Sequence, residues 1–309
     1  MLRRRGRALS ACLALAVVLA AVAVLVGCGS EQRPAPGPPA VRAVGDARLP
    51  GRLWLLAGPN VLNADLYEAT GTLSHLRRRT VNGRVSMVAV RDGLVVVSDA
   101  RGRGYDRVEV PDLGRRGDAL PGRLIADDGQ GPQFGRRGRL LFEAPQWDSR
   151  GDVKATDVFV ADPPAFRPRR ALRAKGSGAW AAWGPDDRIA LAFDRDHRAR
   201  LNAGGEDERV VKTPLRRLQA LKGAGDGVLF AFEYPLAKRA VMIRDGRAEL
   251  LPAGWVPDQS LGDGSVVLVI SADRRRLGLM DARTKRVTQL GTVTSGVINA
   301  AAIDDEERR

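Results

Sequence analysis

The feature that most restricts this chain is a recurring turn. Beyond residue 52, short apolar or alternating runs are separated by Asp/Gly turns. The turns fall at Gly93, Gly138, Asp187, Gly227 and Gly264, at intervals of 45, 49, 40 and 37 residues. Each turn joins two apolar runs. Val88-Ala89-Val90 passes through Asp92-Gly93 into Leu94-Val95-Val96-Val97, and Phe134 passes through Arg137-Gly138 into Leu140-Leu141-Phe142. Leu218 to Leu221 passes through Asp226-Gly227 into Val228-Leu229-Phe230-Ala231-Phe232, and Leu261 passes through Asp263-Gly264 into Val266-Val267-Leu268-Val269-Ile270. Runs of this length and composition fit strands better than helices.

A repeat of this length, with a charged loop and two further strands after each apolar pair, matches a four-stranded propeller blade. The ends fit the same frame. Val297 to Ile303 reads as an isolated first strand, while Leu53-Trp54-Leu55-Leu56, Asp65-Leu66-Tyr67-Glu68 and Leu73-Ser74-His75-Leu76 read as strands two to four of a blade without its first. Pairing them would leave no open edge. The expected fold is therefore all-β, a six-bladed β-propeller closed by pairing of the C-terminal strand with the N-terminal blade. An irregular β-sandwich with hairpins of similar period is the alternative. Second strands such as Val266 to Ile270 are apolar on both faces, as sheets packed between neighbours require; Ala248-Glu249-Leu250-Leu251 is more polar, as an outer strand should be.

The clearest copy is Ala179-Trp180-Ala181-Ala182-Trp183, then Gly184-Pro185-Asp186-Asp187, then Ile189-Ala190-Leu191-Ala192-Phe193. It resembles the TolB-type propeller repeat, in which a tryptophan precedes a Ser-Pro-Asp-Gly turn and an Ile-Ala-Phe strand; here Gly184 replaces the serine and Asp187 the glycine. Leu277-Gly278-Leu279-Met280-Asp281 followed by Arg286-Val287-Thr288-Gln289-Leu290 is similar to the third and fourth strands of that unit. The resemblance implies a scaffold that acts by protein contact. It carries over no particular partner, because the linker leads almost directly into the first strand where that family has an amino-terminal domain.

The N-terminus has a different character. Arg3-Arg4-Arg5-Gly6-Arg7 precedes a run, 8–27, that is apolar apart from Ser10, the pattern of an export signal or a membrane helix. Its end, Leu25-Val26-Gly27-Cys28, resembles the bacterial lipobox, which implies cleavage before Cys28 and diacylation of that cysteine. A retained transmembrane anchor is the alternative, and in both cases the body lies outside the cytoplasm. Sec and Tat export both stay open. Arg33-Pro34-Ala35-Pro36-Gly37-Pro38-Pro39 forms neither helix nor ladder and reads as a tether. The expected organisation is a lipoprotein signal at 1–27, a Pro-rich tether at 28–50, the propeller at 51–305 and a charged tail at 306–309.

The two cysteines, Cys12 and Cys28, both precede the body. The body therefore has no disulfide, thiolate metal site or cysteine nucleophile. The formal net charge is +14; without the four signal arginines it is +10. Such a surface favours anionic partners, but export and the lack of any recognition-helix or zinc-finger pattern argue against nucleic acid.

Loops joining second to third strands share one rim of a propeller with the loops between blades. On this register the rim carries Arg103 and Tyr105, Trp147, Asp148 and Arg150, Asp196 and His197, Glu233 and Tyr234, and Arg274, Arg275 and Arg276. Aromatic, arginine and carboxylate side chains together suit a recognition surface, although loops are also charged simply because they are wet. His75 and His197 are the only histidines, too few for a histidine-based metal cluster, and no Gly-x-Ser-x-Gly elbow, Walker loop or dinucleotide fingerprint occurs. His197 between Asp196 and Arg198 is a possible general base. No catalytic residue, metal or cofactor is assigned. The expected role is a membrane-anchored module on the extracytoplasmic face, binding a protein or an anionic envelope polymer; restraint of a membrane signalling partner is a variant of the same role. The alternative is an envelope glycan hydrolase using rim carboxylates such as Asp148, Asp152, Asp196 and Glu233, which needs a pair about 5 to 9.5 Å apart.

Overall fold

The computed structural model describes residues 41–60, 63–81, 83–100, 106–113, 122–135, 137–149, 153–175, 179–184, 187–193, 198–201, 209–215, 218–223, 228–233, 239–261 and 264–304. The chain opens with β1 (Arg42–Val44), β2 (Arg52–Asn60), β3 (Asn63–Ala69) and β4 (Arg77–Arg78). An antiparallel meander follows, β5 (Val85–Arg91), β6 (Leu94–Ala100), β7 (Asp106–Val110) and β8 (Arg123–Ala126). The next is β9 (Gln130–Phe134), β10 (Leu140–Trp147), β11 (Val153–Asp162) and β12 (Arg167–Lys175), then β13 (Ala179–Trp183), β14 (Ile189–Phe193), β15 (Arg198–Leu201) and β16 (Arg209–Lys212). After it come β17 (Leu218–Gly223), β18 (Leu229–Glu233), β19 (Ala240–Arg244) and β20 (Arg247–Leu250). The last are β21 (Trp255–Leu261), β22 (Val266–Ser271), β23 (Arg276–Asp281), β24 (Val287–Ser295) and β25 (Val297–Asp304).

Hydrogen bonding groups these strands, among the described residues, into six sheets. Four are the uninterrupted meanders β5–β8, β9–β12, β13–β16 and β17–β20. A fifth runs β21-β22-β23-β24 with β1 added at its edge, and the sixth runs β25-β2-β3-β4. The last strand therefore pairs with the second, from Arg52 opposite Asp304 to Gly58 opposite Val297. First strands touch in succession, β25 to β5, β9, β13, β17, β21 and back to β25. Sheets arranged radially with their first strands innermost form a β-propeller.

Local chemistry explains the hairpins. Asp92-Gly93 and Asp245-Gly246 both have positive φ at both positions, which the right-handed twist of the flanking strands demands of a two-residue turn and which Asp-Gly supplies with little strain. Packing explains the ring. Each junction between neighbouring sheets is filled by buried apolar side chains, such as Val96, Phe142 and Ala161 in one and Leu53, Leu268 and Ile303 in another. β22, apolar on both faces, is buried from Val267 onward. β12, by contrast, exposes Arg167, Arg169, Arg170 and Arg173, charges that discourage edge-to-edge pairing with a second sheet.

The first strands present a further problem, because their inner edges have no ladder partner. Side chains from neighbouring sheets supply it. Gln133 of β9 donates to the Ala181 carbonyl at 3.0 Å and accepts from the Gly223 amide at 3.0 Å, while the Glu143 carboxyl accepts from the Ala181 amide. At the ring's closure, Gln259 of β21 clamps Ile303 of the neighbouring β25, donating to its carbonyl at 3.0 Å and accepting from its amide at 2.5 Å.

Two segments depart from the sequence reading. The tether expected at 28–50 does not extend to Pro50. Val41 and Leu49 are buried, β1 pairs with β24, and the Leu49 amide donates to the Gly71 carbonyl at 2.8 Å. Apolar residues at these positions gain more by covering the sheet than by staying in water. Leu73-Ser74-His75-Leu76 is not the fourth strand of its blade. Leu73–His75 is a turn of 3-10 helix that buries Leu73, and the fourth strand is Arg77–Arg78. The signal at 1–27, Cys12, Cys28 and the tail at 306–309 lie outside the described residues.

Candidate functional site

The expected rim is the set of loops after β6, β10, β14, β18 and β22. Arg103, Tyr105, Arg150, Asp196, His197 and Tyr234 lie outside the described residues, as does Asp152. Trp147, Asp148, Glu233, Arg274, Arg275 and Arg276 are described, and their surroundings differ.

Trp147 ends β10 just past a bulge that shifts its partner to Val153. The residue is 44% exposed, far from the burial usual for a tryptophan. Asp148, next along the chain, is half-buried. Glu233 ends β18 but does not face the solvent: it is buried, with Arg239 at 3.8 Å from its carboxylate. The Glu233 amide also donates to the Arg239 carbonyl at 3.0 Å, so the pair staples the two ends of its loop. Burial of a carboxylate demands such a partner.

The β22–β23 loop is the best-defined part of the rim. Ser271 donates to the Asp273 carboxylate and accepts from the Arg276 amide at 2.8 Å. That bond from Ser271, helped by the Arg275 amide and the charges of Arg276 and Arg275, holds Asp273 below the usual carboxylate range. Arg274 adopts a left-handed conformation, φ 59°. Its amide donates to the Ser271 carbonyl and its carbonyl accepts from the Ile298 amide. The strained residue turns its guanidinium inward, where it is partly buried and donates to Asn299 Oδ1 at 3.2 Å. Arg275 stays exposed, and Arg276 lies over the Trp255 ring at 5.2 Å.

Beneath this loop is a cavity of about 40 Å³, room for a few water-sized groups. Its polar lining is Lys222 of β17, Asp258 of β21, Ser271, Arg274 and Asn299, and its walls include Phe232, Val256, Ile270 and Ile298. The Lys222 ammonium pairs with Asp258 Oδ1, and Asp258 Oδ2 accepts the Ala301 amide of β25. Burial, together with the nearby charge of Arg274, pushes Lys222 down to about 8. Sequence reasoning included Arg274 but missed Lys222, Asp258 and Asn299. The available signal was a single charge in each of two first strands, Leu221-Lys222-Gly223 and Pro257-Asp258-Gln259.

No group of three or more His, Cys, Asp or Glu side chains among the described residues is arranged to hold a metal ion. No family model matches the chain, and no curated protein matches it. Among solved structures it is similar to one from a nidogen/laminin complex, at 12% identity and a TM-score of 0.55 over 81% of this chain and 97% of that one. It is also similar to the β-propeller domain of the Trilobed protease from Pyrococcus furiosus, at 16% identity and TM-score 0.41 over 67% and 71% of the two chains. A gluconolactonase from Xanthomonas campestris is similar at 12% identity and TM-score 0.47 over 85% and 91%. At 12% identity the first of these likenesses speaks to the fold alone.

Proposed function

We propose that this chain is an extracytoplasmic lipoprotein, cleaved before Cys28 and anchored by lipid on that residue, whose six sheets are the six blades of a closed TolB-like propeller. It acts as a binding module, recognising a protein or an anionic envelope component through the loops after the second strands. The observation that carries this reading is how the described rim divides its side chains. Its carboxylates are engaged, Glu233 with Arg239 and Asp273 with Ser271 and the Arg275 amide. An aromatic and a cation, Trp147 and Arg275, are left to solvent. Rigid aromatics and arginine dominate binding hot spots, whereas glycoside hydrolysis needs two carboxyl groups open to the substrate.

The test is capture from detergent-solubilised envelope by the full chain and by a Trp147→Ala, Tyr234→Ala, Arg275→Glu variant of equal circular dichroism. A component retained by the first and lost by the second supports the rim. Identical recovery by both, or none by either, overturns it. Cys28→Ala, expected to abolish incorporation of labelled fatty acid, tests the anchor separately.

A further inference from the structure

The cavity beneath the β22–β23 loop holds an imbalance of charge. Lys222 and Arg274 bring two cations to it and Asp258 one carboxylate. Asp258 is fully engaged, one oxygen with Lys222 and the other with the Ala301 amide. Arg274 has an amide oxygen, Asn299 Oδ1, and burial draws its pKa down, with no carboxylate among the described residues to raise it. A guanidinium has five N–H donors in a fixed fork, and a partly buried cation with no counter-ion among the described residues carries a desolvation cost that an anion would offset.

We propose that this cavity is a binding site for a small aliphatic monocarboxylate of roughly propionate size. The carboxylate lies between the Lys222 ammonium and the Arg274 guanidinium, and its short carbon chain lies against Val256, Ile270 and Ile298. One negative charge balances the excess. A planar carboxylate matches the guanidinium fork, the volume of about 40 Å³ limits the ligand to a few heavy atoms, and the apolar walls favour a carbon body over a fully polar oxyanion. The site shares Arg274 with the rim, but its test needs neither Trp147 nor Arg275, so the two readings can fail separately.

The experiment is isothermal titration of the full chain in detergent with propionate, and with its neutral counterpart propionamide and inorganic phosphate at matched ionic strength. Saturable binding of propionate and none of propionamide is expected. Arg274→Gln, which keeps an amide for Asn299 but removes the charge, should weaken propionate roughly 10- to 100-fold. Lys222→Met should weaken it similarly. If that variant leaves Asp258 unpaired and fails to fold, Arg274→Gln decides alone. The assignment is overturned if propionate shows no saturable binding, if propionamide binds equally well, if phosphate binds more tightly, or if Arg274→Gln binds propionate as the unaltered chain does.

Discussion

Glu143 gives the sharpest test of the packing described above. It lies on β10, buried at 3% exposure, and its carboxyl accepts the Ala181 amide. Burial dominates that bond and raises its pKa from 4.5 to about 8. The folded protein therefore keeps a proton at this site over a window in which the unfolded chain has lost it. Where the folded state binds more protons, stability falls as pH rises. The loss begins near 4.5 and ends above 8. At pH 7 the difference is about 2.5 units, or on the order of 3 kcal/mol at about 1.36 kcal/mol per unit. For a domain of this size that is a fall in Tm of roughly 6 to 12 °C between acid and neutral pH from this group alone. Glu143→Gln keeps the acceptor for Ala181 but cannot ionise. Its extra N–H should cost about 1 kcal/mol at pH 4.5, yet the variant should overtake the unaltered protein by pH 8. Urea unfolding of both proteins across this range, compared as a difference, removes the contributions of Asp106, Asp128, Asp157 and Asp273, whose shifts have either sign. A difference that does not change with pH would refute the reasoning.

Two further perturbations probe how the sheets meet. Gly223 lies so close to the Trp183 backbone that a Cβ there has no room, so Gly223→Ala should lower unfolding free energy by about 1–3 kcal/mol in a denaturant titration. Asp65 is fully buried, with Arg78 Nε at 3.0 Å, the Thr80 hydroxyl at 3.1 Å and the Gly83 amide at 2.9 Å. Asp65→Ala strands all three donors and should cost about 3 kcal/mol, with Asp65→Asn recovering part of it in the same assay.

The strands were legible because two local signals coincide in them, an apolar run and a turn residue suited to positive φ. Asp92-Gly93 and Gly264 mark hairpins in the sequence and do so in the structure. Leu73 to Leu76 misled because one buried leucine in a short polar stretch looks the same in a strand and in a 3-10 turn. Val41 to Pro50 misled because the prolines before it set the expectation for the whole segment, although Val41 and Leu49 bury apolar surface. The cavity was not legible at all. Lys222, Asp258 and Arg274 come from three separate stretches, and only the meeting of β17, β21 and the β22–β23 loop brings them together. Glu233 shows the limit from the other side: its place at a loop end was readable, its turn inward onto Arg239 was not.

The amide and carboxyl groups that complete the inner strand edges bear on how this protein comes apart. Because Gln133 satisfies peptides of both β13 and β17, and Gln259 satisfies the terminal strand β25, a single sheet excised by a protease would expose backbone groups that nothing of its own can cover. Partial products should therefore be short-lived, and limited digestion should yield intact chain and small peptides with little between them.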